Sequence, residues 1–123
     1  MTWGNIRLIT LQKMFCAFGN EIVENNEVVE AYMAAMPFVC NEGLSLLFAD
    51  EDKIAADTPG EYEFKLDVKG AELLPFYMAS QLYKDEDVGL ATIYRNEFEV
   101  GRELFLRSGK SDVGSAKVVR ILG

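Results

Sequence analysis

The chain has 123 residues, half of them hydrophobic and a quarter charged, with 20 acidic and 12 basic side chains, no histidine and a net charge of −8. That length predicts one domain with a real core, and the balance excludes a chain that stays disordered throughout. The acidity argues against a general nucleic-acid binder, and no apolar run approaches the roughly 20 residues that cross a bilayer.

The opening Met1-Thr2-Trp3-Gly4 leads into a mixed segment rather than a signal peptide, so the expected location is cytoplasmic. A first helix is predicted over residues 3–18. Thr2 serves as N-cap, because its hydroxyl can accept from a first-turn amide. Ile6, Ile9, Leu11, Met14, Phe15 and Phe18 recur at helical spacing, and Gly19-Asn20 forms the stop.

A second helix is predicted over residues 26–48, with Asn26 as cap and Glu27 and Glu30 favourably placed against the helix dipole. Its apolar set is Val29, Tyr32, Met33, Met36, Val39, Cys40, Leu44, Leu47 and Phe48. Pro37 lies inside and removes the amide that would bond to the Met33 carbonyl, so a kink is expected there. Cys16 and Cys40, 24 positions apart among apolar neighbours, read as reduced core thiols and form no metal motif. The lack of histidine rules out a Cys/His nucleophile and the usual zinc sites.

Residues 49–60 read as a polar connector. The acids Asp50-Glu51-Asp52 lack the spacing and the bend glycine of a calcium loop, and are expected to be solvated. Residues 61–68 alternate with period two: Tyr62, Phe64, Leu66 and Val68 face one way, and Glu61, Glu63, Lys65 and Asp67 the other. A strand is predicted, with residues 116–122 as a weaker second strand. Two strands alone are marginal in water, so they must lie on the helices or pair with a neighbouring copy.

From Gly70 the chain reads as a helical hairpin. Its first helix covers residues 73–83, with Pro75 in the tolerated first turn. An acidic turn, Lys84-Asp85-Glu86-Asp87, leads to a second helix over residues 88–108. Leu90, Ile93, Tyr94, Phe98, Leu104 and Phe105 are its expected apolar stripe. Arg95–Glu99 and Glu99–Arg102 are spaced for ion pairs on its outer face, where Glu103 also falls. Counted from Asp87 to Ser108, at about 33 Å, this helix would cross a domain whose radius of gyration is near 14 Å.

General acid–base chemistry needs carboxylate pairs or a histidine held in a cleft, and no such constellation is legible. Gly109-Lys110-Ser111 follows a helix and lacks the upstream glycine of a phosphate-binding loop, so it reads as a helix stop. Charge is uneven: residues 1–94 hold 16 acidic and 6 basic side chains, and residues 95–123 hold 4 and 6. Such asymmetry suits head-to-tail contact between copies, but a solvated surface is the plainer reading of it.

Four features together resemble a known family. They are Leu82-Tyr83, the turn Asp85-Glu86-Asp87, the centre Ile93-Tyr94-Arg95-Asn96-Glu97-Phe98-Glu99, and the opening Thr2-Trp3-Gly4-Asn5-Ile6. Met36-Pro37 with Asn41-Glu42-Gly43-Leu44 adds a fifth. The chain resembles head–tail connector (adaptor, or neck) proteins of tailed bacteriophages and prophages. Asn5 stands where that family usually has Glu, Gly43 where Ala is usual, and the tail 114–123 has no counterpart. The resemblance implies a structural virion protein spanning residues 1–123, without catalysis, cofactor or metal. It would form a ring and join the portal of the head to the tail, and it would occur in the bacterial cytoplasm during assembly and in the virion. It implies portal and tail proteins and further copies of itself as partners, with no membrane and no sequence-specific nucleic acid.

The expected fold is mainly α: a four-helix core with a small two-stranded β element. The expected contact residues are Arg95, Glu99, Arg102 and Arg107 on the long helix, and Lys117 and Arg120 in the tail. The same residues also fit a solvated, ion-paired face. The alternative function is a small cytoplasmic regulatory or adaptor module that binds a partner helix through the methionine-rich face of the second helix.

Overall fold

A computed structural model describes residues 1–15, 27–49 and 52–109. Four helices carry the fold, α1 (Trp3–Phe15), α2 (Glu27–Leu46), α4 (Leu74–Leu82) and α5 (Val88–Arg107), together with the one-turn α3 (Val68–Ala71). The mainly helical expectation holds. The Gly19-Asn20 stop, the Asn26 cap, Cys16, Phe18 and the tail strand 116–122 lie outside the described residues.

The helix ends follow from local chemistry. The Asn5 amide donates to Thr2 Oγ1 at 3.1 Å, as the N-cap assignment requires. The Leu90 amide donates to Asp87 Oδ1 at 3.0 Å, so the last acid of the 84–87 turn is also the cap that starts α5. α2 runs unbroken through Pro37 and ends in a Schellman turn, with the Ala49 amide donating to the Leu44 carbonyl at 3.0 Å and the Phe48 amide to Ser45 at 3.3 Å. Phe48 occupies the left-handed position of that turn, with φ 62°, where glycine is usual. It is an exposed side chain and not the core residue that the apolar spacing suggested.

The centre of the molecule is α4, which packs against α1, α2 and α5. Six of its nine residues are buried. Around it Trp3, Ile6, Leu11, Met36, Cys40, Leu44, Leu47, Leu74, Met78 and Phe98 form one apolar core. Burial pushes the Cys40 thiol up to about 12, with the Asp52 charge adding and Lys53 opposing, so the thiol stays protonated as a core group.

The predicted two-stranded element is corrected in its first half. The alternation of residues 61–66 is realised, since Phe64 and Leu66 are buried while Glu61, Glu63 and Lys65 are exposed. No strand forms among the described residues; one antiparallel bridge joins Thr2 and Glu63. The Trp3 amide donates to the Tyr62 carbonyl at 2.8 Å and the Phe64 amide to Met1 at 3.0 Å, so the segment pairs briefly with the entrance to α1. Thr2 is already turning into a helix, and at the other end Asp67 caps α3 by accepting from the Lys69 amide at 2.9 Å. Helix formation at both ends leaves no room for a ladder. Val68 accordingly belongs to α3 and is exposed.

The acidic connector also differs from expectation. Asp52 is buried and accepts from the Tyr62 hydroxyl, from the Lys65 amide at 2.8 Å and from the Leu66 amide at 3.3 Å. The bond to Asp52 is the main reason the Tyr62 phenol is held up at about 12, with burial contributing. Asn41 of α2 clamps the same segment: its amide nitrogen donates to the Ile54 carbonyl at 2.9 Å, and its oxygen accepts from the Ile54 amide at 2.8 Å. A buried carboxylate with three donors organises the loop, and the cost of taking its charge out of water is met by those bonds.

Candidate functional site on the long helix

α5 is about 30 Å long, from 20 residues at 1.5 Å each. Only three of them, Ala91, Phe98 and Phe105, are buried. Phe98 stacks against Tyr77 of α4 with ring centroids 5.0 Å apart, and Phe76 meets Tyr94 at 6.1 Å. Lys13 of α1 lies 3.8 Å above the Phe76 ring, and burial lowers its pKa while Glu97 opposes that shift. The Tyr94 hydroxyl donates to the Lys13 carbonyl at 2.9 Å, which ties α5 to α1 as well.

The predicted contact residues do not share one environment. Arg95 bonds Glu99 through Nε at 3.1 Å and lies 5.2 Å from the Tyr77 ring. Glu99 also meets Arg102 at 3.8 Å, so the sequence-spaced triad forms. Arg102 is turned inward, however, and its Nε donates to the Leu46 carbonyl at the C-terminal end of α2, at 2.8 Å. That bond satisfies a carbonyl left over by the helix end and sets a cation at the negative pole of α2. Arg107 pairs with Glu103 at 2.5 Å, and both are well exposed. Lys117 and Arg120 lie outside the described residues.

The apolar stripe expected along α5 divides in two. Phe98 and Phe105 face the core, but Ile93 and Leu104 are 57% and 62% exposed, and Val100 is exposed to the same extent as Leu104. At 3.6 residues per turn, Ile93, Val100 and Leu104 fall in one narrow arc, roughly 130° around the helix from Phe98. They form a second apolar line pointing away from the core. Spacing carried this signal: Ile93 and Leu104 share a wheel position with Val100 and not with Phe98, yet all satisfy a loose helical period.

At the C-terminal end this line runs into a groove of about 330 Å³ between α3 and α5, lined by Lys69, Glu72, Leu73, Gly101, Leu104, Phe105 and Ser108. Gly101 is its floor: a Cβ there would overlap Leu73 Cδ2. A second anomaly stands on α2, where Phe38 is 73% exposed amid Ala31, Ala34 and Ala35. On the methionine-rich face of α2, Met36 is fully buried and Met33 is half-buried against the core.

Among the described residues no group of three or more His, Cys, Asp or Glu side chains could hold a metal ion. No helix among them is long and apolar enough to cross a membrane. No protein-family model, curated protein or solved structure matches the chain.

Proposed function

We propose that this protein is a head–tail connector of a tailed bacteriophage or prophage, a structural protein that acts by ring assembly between portal and tail. The carrying observation is the exposed apolar line Ile93–Val100–Leu104 on a helix whose other face already fills the core. Three apolar side chains in line on the outward face of a long helix suit a subunit that packs side by side along that helix. The reading is supported further by the motif resemblance of the hairpin, which folds as two helices joined at the acid-rich turn.

The proposal carries its biological setting with it: further copies, portal and tail proteins as partners, bacterial cytoplasm during assembly and then the virion, with no catalytic step and no cofactor. Purified portal rings from the same phage provide the test. Co-sedimentation in a fixed stoichiometric ratio is expected. Persistent failure to associate across salt and concentration would refute the connector assignment. An encoding gene far from portal and capsid genes would count against it as well.

A further inference from the structure

We infer that the chain covers the groove between α3 and α5 itself, with the apolar end of residues 110–123 folding back from Gly109 onto Leu73 and Leu104. The inference goes beyond the connector reading and does not depend on it.

The described residues leave this seat open. Its apolar walls are Leu73, Leu104 and Phe105, and Leu104 is 62% exposed while Leu73 is half-buried. Charge does not choose the occupant, because the groove offers one base and one acid, Lys69 and Glu72, and Arg107 beside it is paired with Glu103. The path of the chain does choose. Ser108 is part of the groove lining, and the chain leaves it one residue later through Gly109. Gly109 stands at φ 74°, with its amide donating to the Leu106 carbonyl at 3.4 Å. A left-handed residue after a helix ends it and turns the chain off the helix axis.

The sequence that follows has the length and the character to return. Residues 110–123 read KSDVGSAKVVRILG, and Val118, Val119, Ile121 and Leu122 make four of the last six positions apolar. The nine residues from Gly109 to Val118 span at most about 30 Å. Along α5 the groove runs from Gly101 to Ser108, about 10 Å at 1.5 Å per residue. The link is therefore long enough to reverse and lie over the groove, and Gly114 within it accepts backbone angles that a reversal needs.

Attachment favours this segment over an outside occupant. A tethered segment faces the groove at an effective concentration in the roughly millimolar range, far above that of a second copy in dilute solution. Overall charge acts in the same direction. Lys110, Lys117 and Arg120 against Asp112 give the segment a balance of +2 within a chain of −8, so it is drawn to the acidic remainder. A segment seated here covers Leu104, and Ile93 and Val100 then remain as the part of the outward line open to a neighbouring copy.

Methyl contacts in the full chain provide the test. With leucine, valine and isoleucine methyls labelled, nuclear Overhauser contacts are expected between Leu73 or Leu104 and at least one of Val118, Val119, Ile121 and Leu122. They should persist on dilution and be absent between chains in a one-to-one mixture of differently labelled protein. A thiol probe measures the cover. In a Cys16→Ser background, Leu104→Cys should react with a soluble disulfide reagent at least about threefold more slowly than the same protein that also carries Val118→Asp and Ile121→Asp. Cys40 does not compete, because it is buried and its thiol stays protonated. Equal thermal melting of the two proteins would show that the difference in rate comes from cover and not from unfolding. Absence of the methyl contacts, or equal reaction rates, would overturn the inference. Contacts found only between differently labelled chains would overturn it too, since the occupant would then be the segment of a second copy. Failure of the parent to bind portal rings would sink the connector reading and leave this contact untouched.

Discussion

α4 and α5 are neighbours in sequence and pack on each other, yet they use apolar side chains in opposite ways. α4 buries six of nine residues, including Leu74, Tyr77 and Met78, and contacts three other helices. α5 buries three of twenty and leaves Val88, Ile93, Val100 and Leu104 exposed. Surrounded by helices, α4 needs no charged side to meet water, and its sequence LPFYMASQL accordingly contains no charged residue. α5 lies on the rim, where one face suffices for the core. Its remaining apolar residues point away from that core.

Substitutions sharpen or break that contrast. The largest effect is expected at Phe98, the fully buried ring of α5: Phe98→Ala should destabilise the fold by about 3–5 kcal/mol in chemical denaturation, as should truncations within α4 such as Met78→Ala at about 2–5 kcal/mol. Gly101→Ala comes next, since the new methyl would press Leu73; a loss of about 1–3 kcal/mol is expected, and a gain would mean that α5 can shift away from α4. Arg102→Ala removes the donor to the Leu46 carbonyl and should cost about 1 kcal/mol, while Arg107→Ala, on an exposed pair, should cost about 0.3 kcal/mol. Equal losses would show that the ion-paired row is one surface after all. Phe48→Gly relieves a left-handed residue at the end of α2 and should raise stability by about 1 kcal/mol, read as an increased denaturation midpoint. The smallest effect on folding should come from Val100→Ser, within about 0.5 kcal/mol of the parent. If that change instead melts the protein, the outward line belongs to the core and the contrast between the two helices is lost.

The hydrogen-bonded segment at residues 52–66 shows why some features were hidden in the sequence. Three consecutive acids read as solvent-facing, and two of the three lie outside the described residues. Asp52 is the exception, because three donors separated from it by 10, 13 and 14 positions converge on its carboxylate. No local pattern announces such a convergence. The period-two run after it was read as a strand for a sound reason, and its burial does alternate. What it lacks is a neighbouring strand, since residues 1 and 2 offer one bridge before α1 begins.

Local chemistry determined a good deal of this protein by itself. The four principal helices, the caps at Thr2 and Asp87, the hairpin turn and the triad Arg95–Glu99–Arg102 all follow from residues within a few positions of one another, where propensity, capping and i,i+4 spacing act. Only the tertiary structure decided which apolar residues face inward. A helix of period 3.6 can present apolar side chains on two faces, and the choice between them depends on which one α4 covers. Phe98 was covered and Val100 was not; Met36 was covered and Phe38 was not. The outward residues acquire meaning only when packing has left them without a neighbour.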